Sequence, residues 1–385
     1  MRILIAGNDA NAYTLARMFS NDKDVDVVFA ASGNKYISEF AECIDISETD
    51  NDELLDFVVA NEISLTVVTS SAAIENDIAG YFTDFRQNIF APTFDAAFPT
   101  LYKSACKKLL YKLKVPTVKF GIFDRENQAI SYVSDRRIPL LIKTDSNVNK
   151  ENSVLVNSFS QAKNTIEKIF MQFDNKVIIE DFTDAYTASV YFITDGYSAL
   201  PIGSCSSDYD STFSVISPDK VLSVDLIHKI SDTVIYPFID FCASKNTYYS
   251  GIIGVDLLVR DDEFRVIELN PFFKEIHLQS ILPLLNVNLA ELLLSVAVGS
   301  FSDEYNNIAH NNKCVYSKLV NSTIYKEKIR EYDDENLSYS YSNNGKLILS
   351  QTAKTYSRAK LNYDSALLYL SSHKNSGKEA SVASL

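Results

Sequence analysis

A chain of 385 residues with 46% hydrophobic and 22% charged residues holds enough apolar material for two or three buried cores, and its composition excludes disorder. Its net charge of -14 repels a phosphate backbone, which argues against a nucleic-acid partner while leaving room for a local cationic pocket. Five scattered cysteines without a C-x-x-C pair and four dispersed histidines argue against a disulfide framework or a thiolate metal site, and read as reduced thiols of a cytoplasmic protein.

The opening MRILIAG reads as a strand, Arg2–Ala6, ending at Gly7, not as a signal peptide. Alternation then predicts a helix over Asn11–Phe19, a strand over Val25–Ala30, a helix over Asp52–Ala60 and a strand over Leu65–Thr69. This order predicts a parallel sheet with helices on its faces, taking ligands beyond the strand ends at Gly7–Asn11, Ala31–Asn34 and Thr69–Ala73. A helix follows at Tyr102–Leu113, closed by Val115–Pro116. Strands are predicted at Val118–Phe123, Leu140–Lys143, Val177–Phe182 and Ser189–Thr194, with a helix over Phe159–Met171. Asp195–Gly196 marks one hairpin, and Gly254–Val259 with Phe264–Asn270 forms another. The apolar stretch 281–299 carries Asn286, Asn288 and Glu291 and reads as a buried helix, not a membrane span. Strands at Lys313–Leu319 and Lys346–Thr352 and a helix at Ser357–Ser371 make a third unit, before a polar tail.

Chemistry concentrates in GIIGVDLLVRDDEFRVIELNP, residues 251–271. Asp256 lies on one strand of the hairpin, and Glu268 and Asn270 lie two residues apart on the other, which puts them on one face. Three oxygen donors on one side of a sheet suit a hard cation such as Mg²⁺ or Mn²⁺. The apolar neighbours Val266, Ile267 and Leu269 mark a buried element, where an unpaired carboxylate is costly. Lys143 ends the apolar strand IPLLIK and Lys103 opens a helix; either alone is an ordinary surface lysine, but each can set a point charge on a phosphate. The strand VIIEDF, 177–182, can offer its backbone to an adenine edge.

The order of helix Lys103, V-P-T at 115–117, I-K at 142–143, I-E-D-F at 179–182, V-D at 255–256 and E-L-N at 268–270 resembles the ATP-grasp superfamily, with Lys103 thirteen residues before Pro116. Within it the chain is similar to the phosphoribosylamine–glycine ligase family over nearly its whole length. IEDFTDAYTASVYFITDG, 179–196, looks like the family's I-E-E-F-L-D-G-E-E-x-S…T-D-G, and NPFFKEIHLQSILPLL, 270–285, like its N-x-R-F-G-D-P-E-T-Q-x-I-L-P-L-L. The resemblance implies an N-terminal parallel-sheet α/β domain (1–101) preceding the ATP-grasp domain. That two-part domain (102–300) would carry a lid at about 116–183. A small α+β domain (301–373) and a disordered tail (374–385) would follow. It implies that Lys103 and Lys143 hold ATP phosphates, that Glu180, Asp181 and Phe182 form the adenine hinge, and that Asp256, Glu268 and Asn270 hold the divalent ion. No side-chain nucleophile is implied, and His277 reads as a packed loop histidine. The substrates implied are a small carboxylate and an amine, in a monomer or homodimer.

The departures cluster where substrate binds. The family's glycine-rich first loop reads Asn8, Asp9, Ala10, and its G-P-E reads Thr69, Ser70, Ser71. Its lid is the glycine-free Ser146–Ser153, and a further glycine loop falls near Ser211–Ile216. Its ribose-contacting glutamate falls on Thr187, its arginine on Phe272, and its acidic pair on Glu275 and His277. The lost glycines account for a total of only 11. Three readings follow: the family's own ligation, an ATP-grasp ligation of another amino-acid and amine pair, and a nucleotide-binding paralogue without catalysis.

Overall fold

The computed structural model describes residues 1–145, 153–172, 176–207, 214–320, 326–332, 334–341 and 345–372. The lid segment Ser146–Ser153 therefore lies outside the described residues except for Ser153, as do residues 211–213 of the second loop and the tail 374–385. Among the described residues no helix is long and apolar enough to cross a membrane.

The first sheet comprises β1 (Arg2–Ala6), β2 (Val27–Ala31), β3 (Glu42–Ile44), β4 (Leu65–Val68) and β5 (Ile89–Phe90), in the order β3-β2-β1-β4-β5. All its pairs are parallel. Helices cover both faces, so β1 beyond Arg2 is apolar and buried, and β4 is buried and apolar apart from Thr66. The order reverses between β1 and β4, and a crevice opens beyond their carboxyl ends. Gly7 is needed there: its φ is +149°, and a Cβ would lie 2.2 Å from Thr69 Oγ1. Asp9 then caps the helix Ala10–Ser20, its Oδ1 accepting from Ala12 N at 2.8 Å.

The lid sheet comprises β6 (Phe120–Phe123), β7 (Leu140–Thr144), β8 (Ser153–Val156) and β9 (Val177–Asp181), antiparallel in the order β6-β9-β7-β8. Helices Glu126–Ser134 and Phe159–Gln172 back it, around a core that includes Leu140, Ile142, Ile166 and Ile179.

The third sheet is the largest. Its strands are β10 (Tyr186–Thr194), β11 (Ala199–Ser207), β12 (Ser214–Ser217), β13 (Gly251–Arg260), β14 (Glu263–Asn270), β15 (Cys314–Val320), β16 (Leu337–Tyr341) and β17 (Leu347–Ala353). Their order is β14-β13-β10-β11-β12-β15-β17-β16, so the C-terminal strands extend the same sheet through the β12–β15 pair. Asp261 and Asp262, both at positive φ, make the tight β13–β14 turn. The apolar run 281–299 is a 3₁₀ turn at Leu282–Leu284 and then a buried helix, Leu289–Val298, capped by Asn288 and closed by Gly299 at φ +77°.

Candidate active site

One irregularity decides what β14 presents. Strand alternation puts Phe264 and Val266 in the core, and the same parity would bury Glu268 and Asn270. The register slips after Asp256, which pairs with Glu268 while Leu257 pairs with Val266. Ile267 is the extra residue of a β-bulge, and beyond it the parity inverts: Leu269 turns to the core while Glu268 and Asn270 turn outward. Two cross-strand rows form the floor. Ser189, Asp256 and Glu268 lie in line across β10, β13 and β14, and Tyr191, Gly254 and Asn270 make the next row. Gly254 has to be small, because a Cβ would meet the Tyr191 ring at 2.7 Å.

The lid supplies the roof. Asp145, just past β7, accepts from Ser104 N at 2.7 Å and Ser104 Oγ at 2.8 Å, and its carbonyl accepts from Lys103 N at 3.0 Å. A carboxylate on the first turn of the helix Lys103–Lys112 favours this docking through the helix dipole. It brings Lys103 and Lys143 to the same cleft, of about 720 Å³, that Thr187, Asp256 and Glu268 line from below. Asn270 lines an adjoining pocket.

Glu180 lies behind Lys143. It is 2% exposed, with Lys143 Nζ at 2.9 Å from Oε2 and Lys107 Nζ at 2.8 Å from Oε1, the latter an ion pair out of hydrogen-bond alignment. Burial alone would raise this carboxyl, but the two ammonium groups hold it below its usual range. Burial would likewise lower Lys143, and Glu180 outweighs it and raises the group. Lys103 is lowered by burial and by the Lys143 charge, which outweigh the nearby Glu268. Asp181 is part-exposed, 3.9 Å from Arg136 Nη1, with its own N–H donating to Lys119 O at 3.0 Å; Phe182 is exposed.

Asp256 is crowded. Its Oδ1 accepts from Ser189 Oγ, and its Oδ2 from Asn270 Nδ2 at 3.0 Å and from Lys274 Nζ at 2.7 Å. Burial would raise the carboxyl, and the Lys274 ammonium overrides it and lowers it. Glu268 and the Asn270 carbonyl oxygen are hard oxygen donors on one edge and suit a divalent ion. Asp256 does not fit as a third direct ligand in this arrangement, because both its oxygens already accept side-chain donors and one of them carries the Lys274 ammonium. Burial and the Lys274 charge push His277 down to about 3, so it is neutral, with Nδ1 at 2.8 Å from Tyr191 Oη.

Lys107 and Lys274 escaped the sequence reading. Lys107 carried a signal, since it stands one helical turn after Lys103 and so shares its face. Lys274 carried none, because only the turn after β14 brings it back to Asp256.

A lid sheet closing over a cleft floored by an antiparallel sheet, with lysines above and oxygen donors below, is the ATP-grasp fold. A solved phosphoribosylamine–glycine ligase from Thermotoga maritima superposes with a TM-score of 0.74 at 15% identity, covering 95% of this chain and 96% of its own. A biotin carboxylase from Campylobacter jejuni does so with a TM-score of 0.72 at 15% identity, covering 96% and 91%. The phosphoribosylglycinamide synthetase N-domain model matches residues 1–98, and the ATP-grasp (A) domain model of the same synthetase matches residues 102–277. The chain belongs to the phosphoribosylglycinamide synthetase family. Among curated relatives, the phosphoribosylamine–glycine ligase of Lactococcus lactis is 27% identical over 314 residues, 78% of this chain and 76% of the relative. That of Escherichia coli K12 is 24% identical over 322 residues, 79% and 75% respectively.

Proposed function

We propose that this chain is an ATP-dependent carboxylate–amine ligase that joins glycine to phosphoribosylamine in purine biosynthesis. ATP transfers its terminal phosphoryl group to the glycine carboxylate, giving an acyl phosphate and ADP. The amine then attacks the carbonyl carbon, phosphate leaves with the C–O bond pair, and the amine proton passes to solvent. Such a reaction needs positioning and charge neutralisation, not a protein nucleophile. The observation that carries the reading is the convergence of Lys103, Lys143 and Glu268 on one nucleotide-sized cleft.

In this reading Lys103 and Lys143 hold the ATP phosphates, and the Glu180–Phe182 backbone and Thr187 hold the nucleoside. Glu268 and Asn270 hold Mg²⁺, which when bound offsets phosphate charge, while Asp256 anchors Lys274 and does not ligate. We further place the protein in the cytoplasm, as a monomer or homodimer with small-molecule partners and no nucleic acid.

Replacing Glu268 by Gln tests this. The variant is expected to keep the wild-type circular dichroism and to lose ADP release with glycine, phosphoribosylamine and Mg·ATP by at least about a hundredfold, the scale of removing one electrostatic contact to reacting groups. Normal turnover by the variant defeats the site assignment. A second reading, a ligase for another amino-acid and amine pair, is favoured by one observation: Asp9, Glu75 and Glu275 line the pocket beyond the first sheet.

A further inference from the structure

The floor of the cleft carries a cation of its own, Lys274. The turn after β14 folds it back over β13, and its Nζ lies 2.7 Å from Asp256 Oδ2. The family motif N-x-R-F-G-D-P-E-T-Q has glycine at this position, so the charge departs from the motif.

The ammonium group is held from both ends. Asp256 is 4% exposed, and Ser189 Oγ and Asn270 Nδ2 fix its orientation by donating to its two oxygens. The backbone N–H of Lys274 donates to Tyr191 Oη at 3.3 Å, and the Tyr191 ring packs on Phe273 with centroids 4.5 Å apart. One ammonium proton goes to Asp256, which leaves donors for the cleft that this half-exposed side chain lines.

Phosphoryl transfer from ATP needs cations around the phosphates, and two divalent ions about 3.5–4 Å apart are one common solution. Two hard ions need more oxygen donors than this floor offers. With both Asp256 oxygens engaged, the Glu268 carboxylate and the Asn270 carbonyl remain. That set suits one Mg²⁺, which takes one or two protein groups and completes its shell with phosphate and water. A second divalent ion at Asp256 would have to displace the ammonium group against like charge.

We propose that Lys274 Nζ is a fixed cation in the place of a second divalent ion, so that the nucleotide-loaded cleft holds one such ion, on Glu268 and Asn270. The ammonium group then neutralises phosphate charge beside that ion. The inference rests on the ATP-dependent ligase reading and deepens it.

Equilibrium dialysis of the full chain against Mn²⁺ and a non-hydrolysable ATP analogue tests it, with metal and nucleotide both counted per chain. The wild type is expected to hold one Mn²⁺ per bound nucleotide. Lys274→Met frees Asp256 and should hold two, with the electron paramagnetic resonance signal broadened by the ion pair. Lys274→Gly, the residue of the family motif, should do the same, and Lys274→Arg, which keeps the charge, should hold one. Adding Asp256→Asn to Lys274→Met should return the count to one. Two ions beside bound nucleotide in the wild type, or one in both Lys274→Met and Lys274→Gly, overturns the proposal and leaves the ligase reading in place. A wild type that binds no nucleotide defeats the ligase reading and the proposal with it. Glu268→Gln should weaken the wild-type ion by tenfold or more, at least the effect of losing an outer-shell partner; an ion indifferent to it overturns the placement on Glu268.

Discussion

Replacing Glu180 by Gln should destabilise the protein by about 3–5 kcal/mol, the cost of leaving a buried charge uncompensated. Glu180 and Lys107 are each 2% exposed and Lys143 is 6% exposed, so solvent screens none of them. Gln keeps the shape and removes the only negative charge within 3 Å of both ammonium groups among the described residues. Lys107 would keep Thr117 Oγ1 at 3.1 Å, whose own hydroxyl donates to Val266 O at 2.6 Å, so one strut between helix and sheet survives. Urea unfolding followed by tyrosine fluorescence, with hydrogen exchange resolving β7 and β9, measures the loss and shows whether the lid opens first. The pH sign follows from the depressed carboxyl. Its contribution is present above the unfolded-state pKa of about 4.3 and is lost as pH falls through the lower folded value, whereas the variant lacks that acid-side loss. Adding Lys107→Met to Glu180→Gln leaves one uncompensated ammonium instead of two and should recover part of the stability. A single-variant loss under about 1 kcal/mol, the value of an exposed pair, refutes the view that this buried network holds the lid to the helix.

Lys274→Met should cost less, about 1–3 kcal/mol, because Lys274 is half-exposed and Asp256 keeps Ser189 and Asn270; urea midpoints check it. Burial, reinforced by the Glu275 charge, pushes the Asp9 carboxyl up to about 6, so its ionisation costs stability as pH rises from about 4 through 6, and the urea midpoints of Asp9→Asn should lack that decline. His277, at about 3, is neutral across the working range, so His277→Gln should keep the wild-type shape of the kcat/KM profile between pH 5 and 8. An acid limb lost with His277 would refute the neutral assignment.

Much of the scaffold was legible because its signals are local. The apolar runs of β1 and β4, the Asp–Asp turn between β13 and β14, and the order of lysines and oxygen donors need only neighbours in sequence to be read. The orientation of Glu268 and Asn270 was legible only in part. Their two-residue spacing set them on one face, but which face depends on the bulge at Ile267, which exists only through pairing with β13. The C-terminal unit expected at 301–373 is continuous with the central sheet, because the β12–β15 pairing joins strands about a hundred residues apart, and no local pattern reports such a pairing. Lys274 illustrates the same limit at the site. A lysine beside an aromatic pair in a loop carries no mark of the carboxylate it meets eighteen residues back in the chain.

The two pockets follow opposite charge rules, and they share a wall. In the cleft, Lys103, Lys143 and Lys274 face Glu268 and Asp256, a balance suited to polyphosphate with a divalent ion. Beyond β1 and β4, carboxylates replace the bare N–H groups that would receive a phosphate. Two like unit charges 4 Å apart repel by about 4 kcal/mol at the effective dielectric of a protein surface, close to a thousandfold in affinity. A phosphate entering the second pocket would meet that repulsion from Asp9 and again from Glu275, while an ammonium group would gain by the same amounts. In the first loop Asp9 puts a carboxylate where the family has glycine, whereas the nucleotide cleft keeps Lys103 and Lys143, so the charge at the first-sheet end departs from the family's while the cations of the cleft stay.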